Sequence, residues 1–149
     1  PGDVVAGALA SMGRPLTRDA AILAPHAHAM TDVTGFGLAG HLINICEASG
    51  VAAEIALAAV PLLPGAEALS AAGQHSSLLP QNIAALAGRI LAPEGPRAAL
   101  LYDPQTAGGL LAALPEDQAE PLLTELRAQG IPAARIGRIT EGAPALTVL

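Results

Sequence analysis

In the run Met30-Thr-Asp-Val-Thr-Gly-Phe-Gly-Leu-Ala-Gly-His-Leu42, one carboxylate, Asp32, sits between Thr31 and Thr34 and ahead of Gly35, Gly37 and Gly40. The pattern places it where a strand hands over to a helix. A carboxylate there can hold a cation. Glycine amides beside a helix N-terminus can hold the phosphates which that cation neutralises. A second small-residue turn, Asp103-Pro-Gln-Thr-Ala-Gly-Gly109, offers related chemistry, with a hydroxyl on Thr106 and approachable backbone at Gly108 and Gly109. The pair points to a protein that handles ATP.

Each feature also has a plainer reading. An aspartate ahead of a helix often only caps backbone amides and balances the helix dipole. Thr34 is the better-placed cap, which frees Asp32 for a ligand. The Asp103 turn is equally explained as a tight turn into a strand. Gly35, Gly37 and Gly40 match the dinucleotide fingerprint GxGxxG, with Glu54 near the place of a ribose-binding acid. Against that fingerprint, Thr31, Asp32 and Thr34 crowd polar groups into the strand, and Asp32 repels a pyrophosphate unless a metal intervenes. No second mononucleotide half follows.

The other candidates for chemistry are weaker. His26 and His28 share a strand face without a third ligand, His41 and Cys46 are poorly spaced for a shared metal, and His75 lies in a loop. Surface or core positions explain all four histidines, and Cys46 reads as a small buried hydrophobe. Spacing supports no Ser-His-Asp or paired-carboxylate arrangement, so no catalytic residue is assigned.

Composition narrows the function classes. A net charge of −6, with seven arginines spread along the chain and Phe36 and Tyr102 as the only aromatics, argues against nucleic acid. The longest uncharged apolar stretch, Ile55 to Ala66, is too short to cross a bilayer and contains Pro61 and Pro64. With no secretory signal pattern, the cytoplasm is the expected compartment. One cysteine excludes an internal disulfide. The chain has no lysine at all. Schiff-base chemistry, the P-loop lysine and a lysine clamp on a transferring phosphoryl group are therefore absent.

The elements that must position these residues alternate along one domain of 149 residues. Asp3 to Met12 and Thr17 to Leu23 read as helices, with Asp3 and Thr17 as caps, and Ala27 to Val33 as a buried strand. Leu38 to Ser49 is the clearest helix, apolar at 38, 39, 42, 45 and 46 and stopped by Gly50. Val51 to Leu57 reads as a strand, followed by a short helix ending at Ala72 and another from Pro80 to Leu91. A helical turn at Arg97 to Tyr102 feeds the Asp103 loop. Leu110 to Leu114 is a strand, and Glu116 to Gln129 a helix whose first turn Pro121 disturbs. Strands at Ala133 to Ile139 and Ala145 to Leu149 follow. The expected fold is α+β, a small mixed sheet covered by helices.

At this point a resemblance emerges. The Met30–Leu42 run and Asp103-Pro-Gln-Thr-Ala-Gly-Gly-Leu-Leu111 together resemble the C-terminal half of selenophosphate synthetase (selenide, water dikinase), of the aminoimidazole ribonucleotide synthetase-like superfamily. Leu62-Leu-Pro-Gly65, Ser76-Ser-Leu-Leu-Pro-Gln-Asn82 and Ile136-Gly-Arg-Ile139 extend the likeness over nearly the whole chain. Pro15 departs from it, standing where the family pattern leads one to expect asparagine.

The resemblance implies a transferase that uses ATP and water to turn selenide into selenophosphate, AMP and phosphate. It implies magnesium, a homodimer, and an N-terminal ATP-binding domain that carries the reactive Cys or Sec and the essential lysine. The absent lysine fits a C-terminal fragment, residues 1–149 being a single domain inactive on its own. Asp32 carries over as a metal ligand. Thr34, Gly35, Gly37, Thr106, Gly108 and Gly109 are the expected lining of the phosphate side. The alternatives are another ATP-dependent synthetase or kinase of the superfamily, or a dinucleotide-binding module built on Gly35, Gly37 and Gly40.

Overall fold

The structure, a computed structural model, describes residues 2–149. Among the described residues seven α-helices are interspersed with six strands, and the strands form two separate sheets. β1 (Ala29–Asp32) and β4 (Leu110–Ala113) pair antiparallel as a two-stranded ribbon, with Asp32 opposite Leu110. The other sheet has the order β3-β6-β2-β5, built from β2 (Ala52–Ile55), β3 (Ile90–Leu91), β5 (Gly137–Thr140) and β6 (Leu146–Val148). β2 runs parallel to β6 and antiparallel to β5, so the expected α+β class with a mixed sheet is observed.

α3 (Gly37–Ser49) is the central element and touches both sheets. Its apolar positions recur at helical spacing, and Ala39, Ile43 and Cys46 have no exposed surface. They pack with Ala53, Ile55, Leu146 and Val148 of the larger sheet and with Leu101. Burial of a side chain such as Ile43 stabilises the fold by about 1.5–3 kcal/mol. Gly50 ends the helix at φ +65°, its amide bonded to the Cys46 carbonyl. A smaller cluster of Leu23, Leu126 and Ile131 joins α2 (Thr17–Leu23) to α7 (Glu116–Ala128) against the ribbon. α1 (Gly2–Met12) buries no residue. No helix among the described residues is long and apolar enough to cross a membrane.

Several expectations need correction. Asp3 and Thr17 are not caps. Asp3 lies inside the first turn of α1, and Thr17 begins α2 behind Leu16 with no side-chain cap bond. The first turn of α2 is instead held by Arg14, which donates twice to Asp19 at 2.8 Å. That pair raises the Arg14 pKa, its hydrogen bond to Asp19 outweighing the opposing effect of burial. β1 is shorter than expected and only half-buried, because a two-stranded ribbon has core on one face alone.

The helix begun near Pro80, α5 (Leu79–Ala85), stops early. Gly88, at φ +77°, turns the chain so that Ile90 and Leu91 form β3 against β6. The predicted apolar face of α3 also omits Ile43, which has no exposed surface. Pro121 lies within a continuous α7 and does not unravel its first turn. β5 begins at Gly137, four residues later than the strand predicted from Ala133, and a Cβ at Gly137 would collide with the Glu54–Ile55 backbone of β2. Only a glycine lets β5 approach that closely. The last two strands adjoin in sequence, but β2 separates them in the sheet.

Candidate functional site

The two small-residue loops meet where β1 leaves the ribbon. Val33 N–H donates to the Gly109 carbonyl at 2.9 Å, and Gly108 N–H donates to the Val33 carbonyl at 3.1 Å. Gly108 and Gly109 together thus face Val33, two residues against one, which is a bulge at the end of the ribbon. Gln105 N–H reaches the Thr34 carbonyl at 3.0 Å, as does Gly37 N–H. Asn82, from α5, donates through Nδ2 to the Gly35 carbonyl at 3.0 Å and the Tyr102 carbonyl at 2.9 Å. Residues distant in sequence are therefore fixed within one small corner.

Asp32 is the exposed last residue of β1, and its carboxylate makes no hydrogen bond or ion pair among the described residues. It does not cap α3. Thr34 does not cap it either: the residue ahead of the helix is Phe36, with no side-chain cap bond. The Thr34 amide donates to His41 Nε2 at 3.0 Å, and the Thr34 hydroxyl lies 3.1 Å from the same nitrogen. Since the amide can only donate, Nε2 is the accepting nitrogen. The Phe36 ring packs beside the imidazole, centroids 5.9 Å apart.

The glycines divide by what a side chain would meet. A Cβ at Gly37, at φ +69°, would lie 2.6 Å from the Leu101 carbonyl oxygen, and one at Gly108 would overlap the Val33 carbonyl. Both are required by backbone packing. Gly35 and Gly109 are exposed, with open space where a Cβ would go. Thr106 is exposed as well. The amides of Gly35, Thr106 and Gly109 donate to no backbone acceptor among the described residues. Of the expected phosphate lining, Gly35, Thr106 and Gly109 present free groups to solvent. Thr34, Gly37 and Gly108 are engaged in holding the corner together.

Asp103 is half-buried beneath the second loop. Burial pushes its carboxyl above the usual range, opposed by a hydrogen bond from Gln105 Nε2 at 3.2 Å and by the field of His75. Among the described residues no three His, Cys, Asp or Glu side chains gather as a metal site. Magnesium takes six oxygens in near-octahedral geometry, often through one or two carboxylates plus phosphates and water. Asp32, a free hard-oxygen donor, fits as one such ligand and not as a complete site.

Residues 7–148 match the family described as AIR synthase related protein, C-terminal domain. The chain belongs to this family. It is 40% identical over 141 residues to a selenide, water dikinase of Burkholderia pseudomallei, covering 92% of this chain and 39% of that one. It is 48% identical over 93 residues to a selenide, water dikinase of Bordetella bronchiseptica, covering 62% of this chain and 27% of that one. Among solved structures it is similar to thiamine-monophosphate kinase from Stenotrophomonas maltophilia, with TM-score 0.55 and 27% identity over 83% of this chain and 32% of that one. E. coli HypE, a hydrogenase maturation protein, shares the fold at TM-score 0.55 and 23% identity, over 89% of this chain and 35% of that one. The chain thus spans 39% and 36% of the length of the first two curated relatives.

Membership of the AIR synthase related family accords with the fold and removes one alternative. The dinucleotide fingerprint at Gly35, Gly37 and Gly40 needs a strand in a parallel βαβ unit. Among the described residues β1 pairs only with β4, antiparallel, and Glu54 is tied to Arg138 at 2.7 Å on the other sheet. Gly40 is required by packing, since a Cβ there would press on the Phe36 Cβ at 2.6 Å. Sequence reasoning missed His41 and Asn82 as organisers of the corner. The placing of His41 one turn inside the glycine-rich helix was the available signal. Asn82 gave none, because its partners come from distant segments.

Proposed function

We propose that this chain is the C-terminal part of a selenophosphate synthetase that makes selenophosphate, AMP and phosphate from selenide, ATP and water. The observation that carries the proposal is the closure of the two loops on one another, through Val33, Thr34, Gln105, Gly108 and Gly109, in a chain 40% identical to a selenide, water dikinase. Asp32 supplies one carboxylate to a magnesium site, and the exposed amides of Gly35, Thr106 and Gly109 face the phosphates. Bound magnesium screens the triphosphate and stabilises charge on the transferring phosphoryl group. The chain has no lysine, so an ammonium contact must come from an N-terminal ATP-binding domain of the same protein, acting in the cytoplasm as a homodimer.

Selenide-dependent formation of AMP by the full-length protein tests the assignment. A protein that hydrolyses ATP only with another acceptor refutes it and favours a different synthetase or kinase of the superfamily. In that protein Asp32→Ala abolishes magnesium-dependent turnover while changing stability by no more than about 0.5 kcal/mol. A loss of about 2–5 kcal/mol, the size of a core cavity, would assign Asp32 to packing instead.

A further inference from the structure

We propose that Asn82 is a positioning residue that sets the Asp32 loop and the Asp103 loop in register. Among the described residues its carboxamide is the only side chain that hydrogen-bonds to both segments, at the Gly35 carbonyl (3.0 Å) and the Tyr102 carbonyl (2.9 Å). The residue is 9% exposed and sits in the first turns of α5. A buried amide that donates to two carbonyls is stabilising, and an apolar side chain in its place would leave both carbonyls without that donor. What the carboxamide adds is direction. Its two N–H bonds diverge at a fixed angle, so the two carbonyls can be held only at one separation.

The backbone bonds Val33–Gly109, Gly108–Val33 and Gln105–Thr34 join the same loops on the side of the ribbon. Asn82 joins them a second time, at Gly35 and at Tyr102, whose backbone also passes close to Gly37. With the ribbon bonds alone the loops can still hinge about β1 and β4. With Asn82 in place, the exposed amides of Gly35, Thr106 and Gly109 keep a constant spacing. A pocket of about 140 Å³ lies beside Asn82, lined also by Phe36, Gly40, Asn44, Leu86 and Arg89. The catalytic part of this inference rests on the proposed synthetase function. The loop-register part does not.

The test substitutes Asn82→Asp, which keeps the volume but replaces the donating Nδ2 with an oxygen facing both carbonyls, and Asn82→Ala, which serves if the charged variant does not fold. In the full-length protein, hydrogen exchange followed by mass spectrometry is expected to speed up in peptides covering residues 33–37 and 103–109, with peptides covering α3 beyond Leu42 and β2 unchanged. Turnover with selenide and Mg-ATP is expected to fall roughly tenfold or more in kcat with KM for ATP changed much less, as misplacement of transition-state contacts produces. Faster exchange spread evenly through the core, or exchange unchanged in either loop, overturns the proposal. So does an unaltered kcat in a variant shown to be folded. If the protein has no selenide-dependent activity, the functional assignment fails on that result, and the exchange pattern still decides the role of Asn82.

Discussion

His41 Nε2 accepts the Thr34 amide at 3.0 Å, seven residues back along the chain, and lies 3.1 Å from the hydroxyl of the same threonine. One imidazole on α3 thus fixes the residue that links the Asp32 strand to the helix. His41→Ala leaves a part-buried amide without its acceptor and is expected to cost about 1–2 kcal/mol. Urea denaturation measures this. Thr34→Ala, which keeps the amide and removes only the hydroxyl, should cost less than His41→Ala. Equal losses would place the weight on the hydroxyl.

The glycines of the corner make a paired prediction. Gly108→Ala forces a methyl into the Val33 carbonyl and is expected to destabilise by roughly 1–3 kcal/mol, as overpacking does. Gly35→Ala meets open space at an ordinary φ and should leave stability within about 0.5 kcal/mol. If Gly35 faces phosphate, the second variant nonetheless raises KM for ATP. Thermal unfolding together with steady-state kinetics separates the two effects.

Asp103 gives a pH dependence of defined sign. Because burial raises its folded pKa above the unfolded value, the folded state holds this proton more tightly than the unfolded chain. The associated stability is complete below the ordinary carboxylate range and is lost as pH rises through the raised value. Asp103→Asn removes that loss. The stability difference, variant minus parent, should therefore grow more favourable from acid to neutral pH. Denaturant titrations at both ends of that window measure it, and a difference independent of pH refutes it.

Arg97 reaches backward from α6 (Pro96–Ala99), the helix that leads into the Asp103 loop. It donates to the carbonyls of Leu57 at 3.0 Å and Val60 at 2.7 Å, and to Glu67 at 2.9 Å. Arg97→Ala is expected to cost about 2–3 kcal/mol, since hydrogen bonds from a charged donor are worth more than neutral ones. Arg97→Lys should recover only part of this, because one ammonium cannot reproduce the planar fork. Equal stability of Lys and Arg forms, measured by chemical denaturation, would show that charge alone matters.

The helices and strands of this fold were legible wherever local pattern and a stop signal agreed. Leu38–Ser49 with Gly50 behind it is the clearest instance, and Val51–Leu57 the next, with Ala53 and Ile55 buried as their alternation predicts. Legibility failed where a distant partner decides the outcome. Ile90 and Leu91 read as the end of a helix because nothing local announces pairing with Leu146 and Thr147. Thr34 read as a cap because cap chemistry is local, while its bond to His41 depends on the tight turn at Gly35 and Phe36. The meeting of the two loops was inferred from chemistry. The bulge and the carboxamide that hold them together lay beyond any spacing rule.

Cys46 is the one cysteine of the chain; it has no exposed surface, and burial, reinforced by the charge of Glu47, raises its thiol above the usual range. A thiol reagent therefore finds nothing to react with until α3 leaves the core. The chain carries its own clock for that event. Labelling by an excess of reagent proceeds at the opening rate of the central helix and reads it out without any engineered probe.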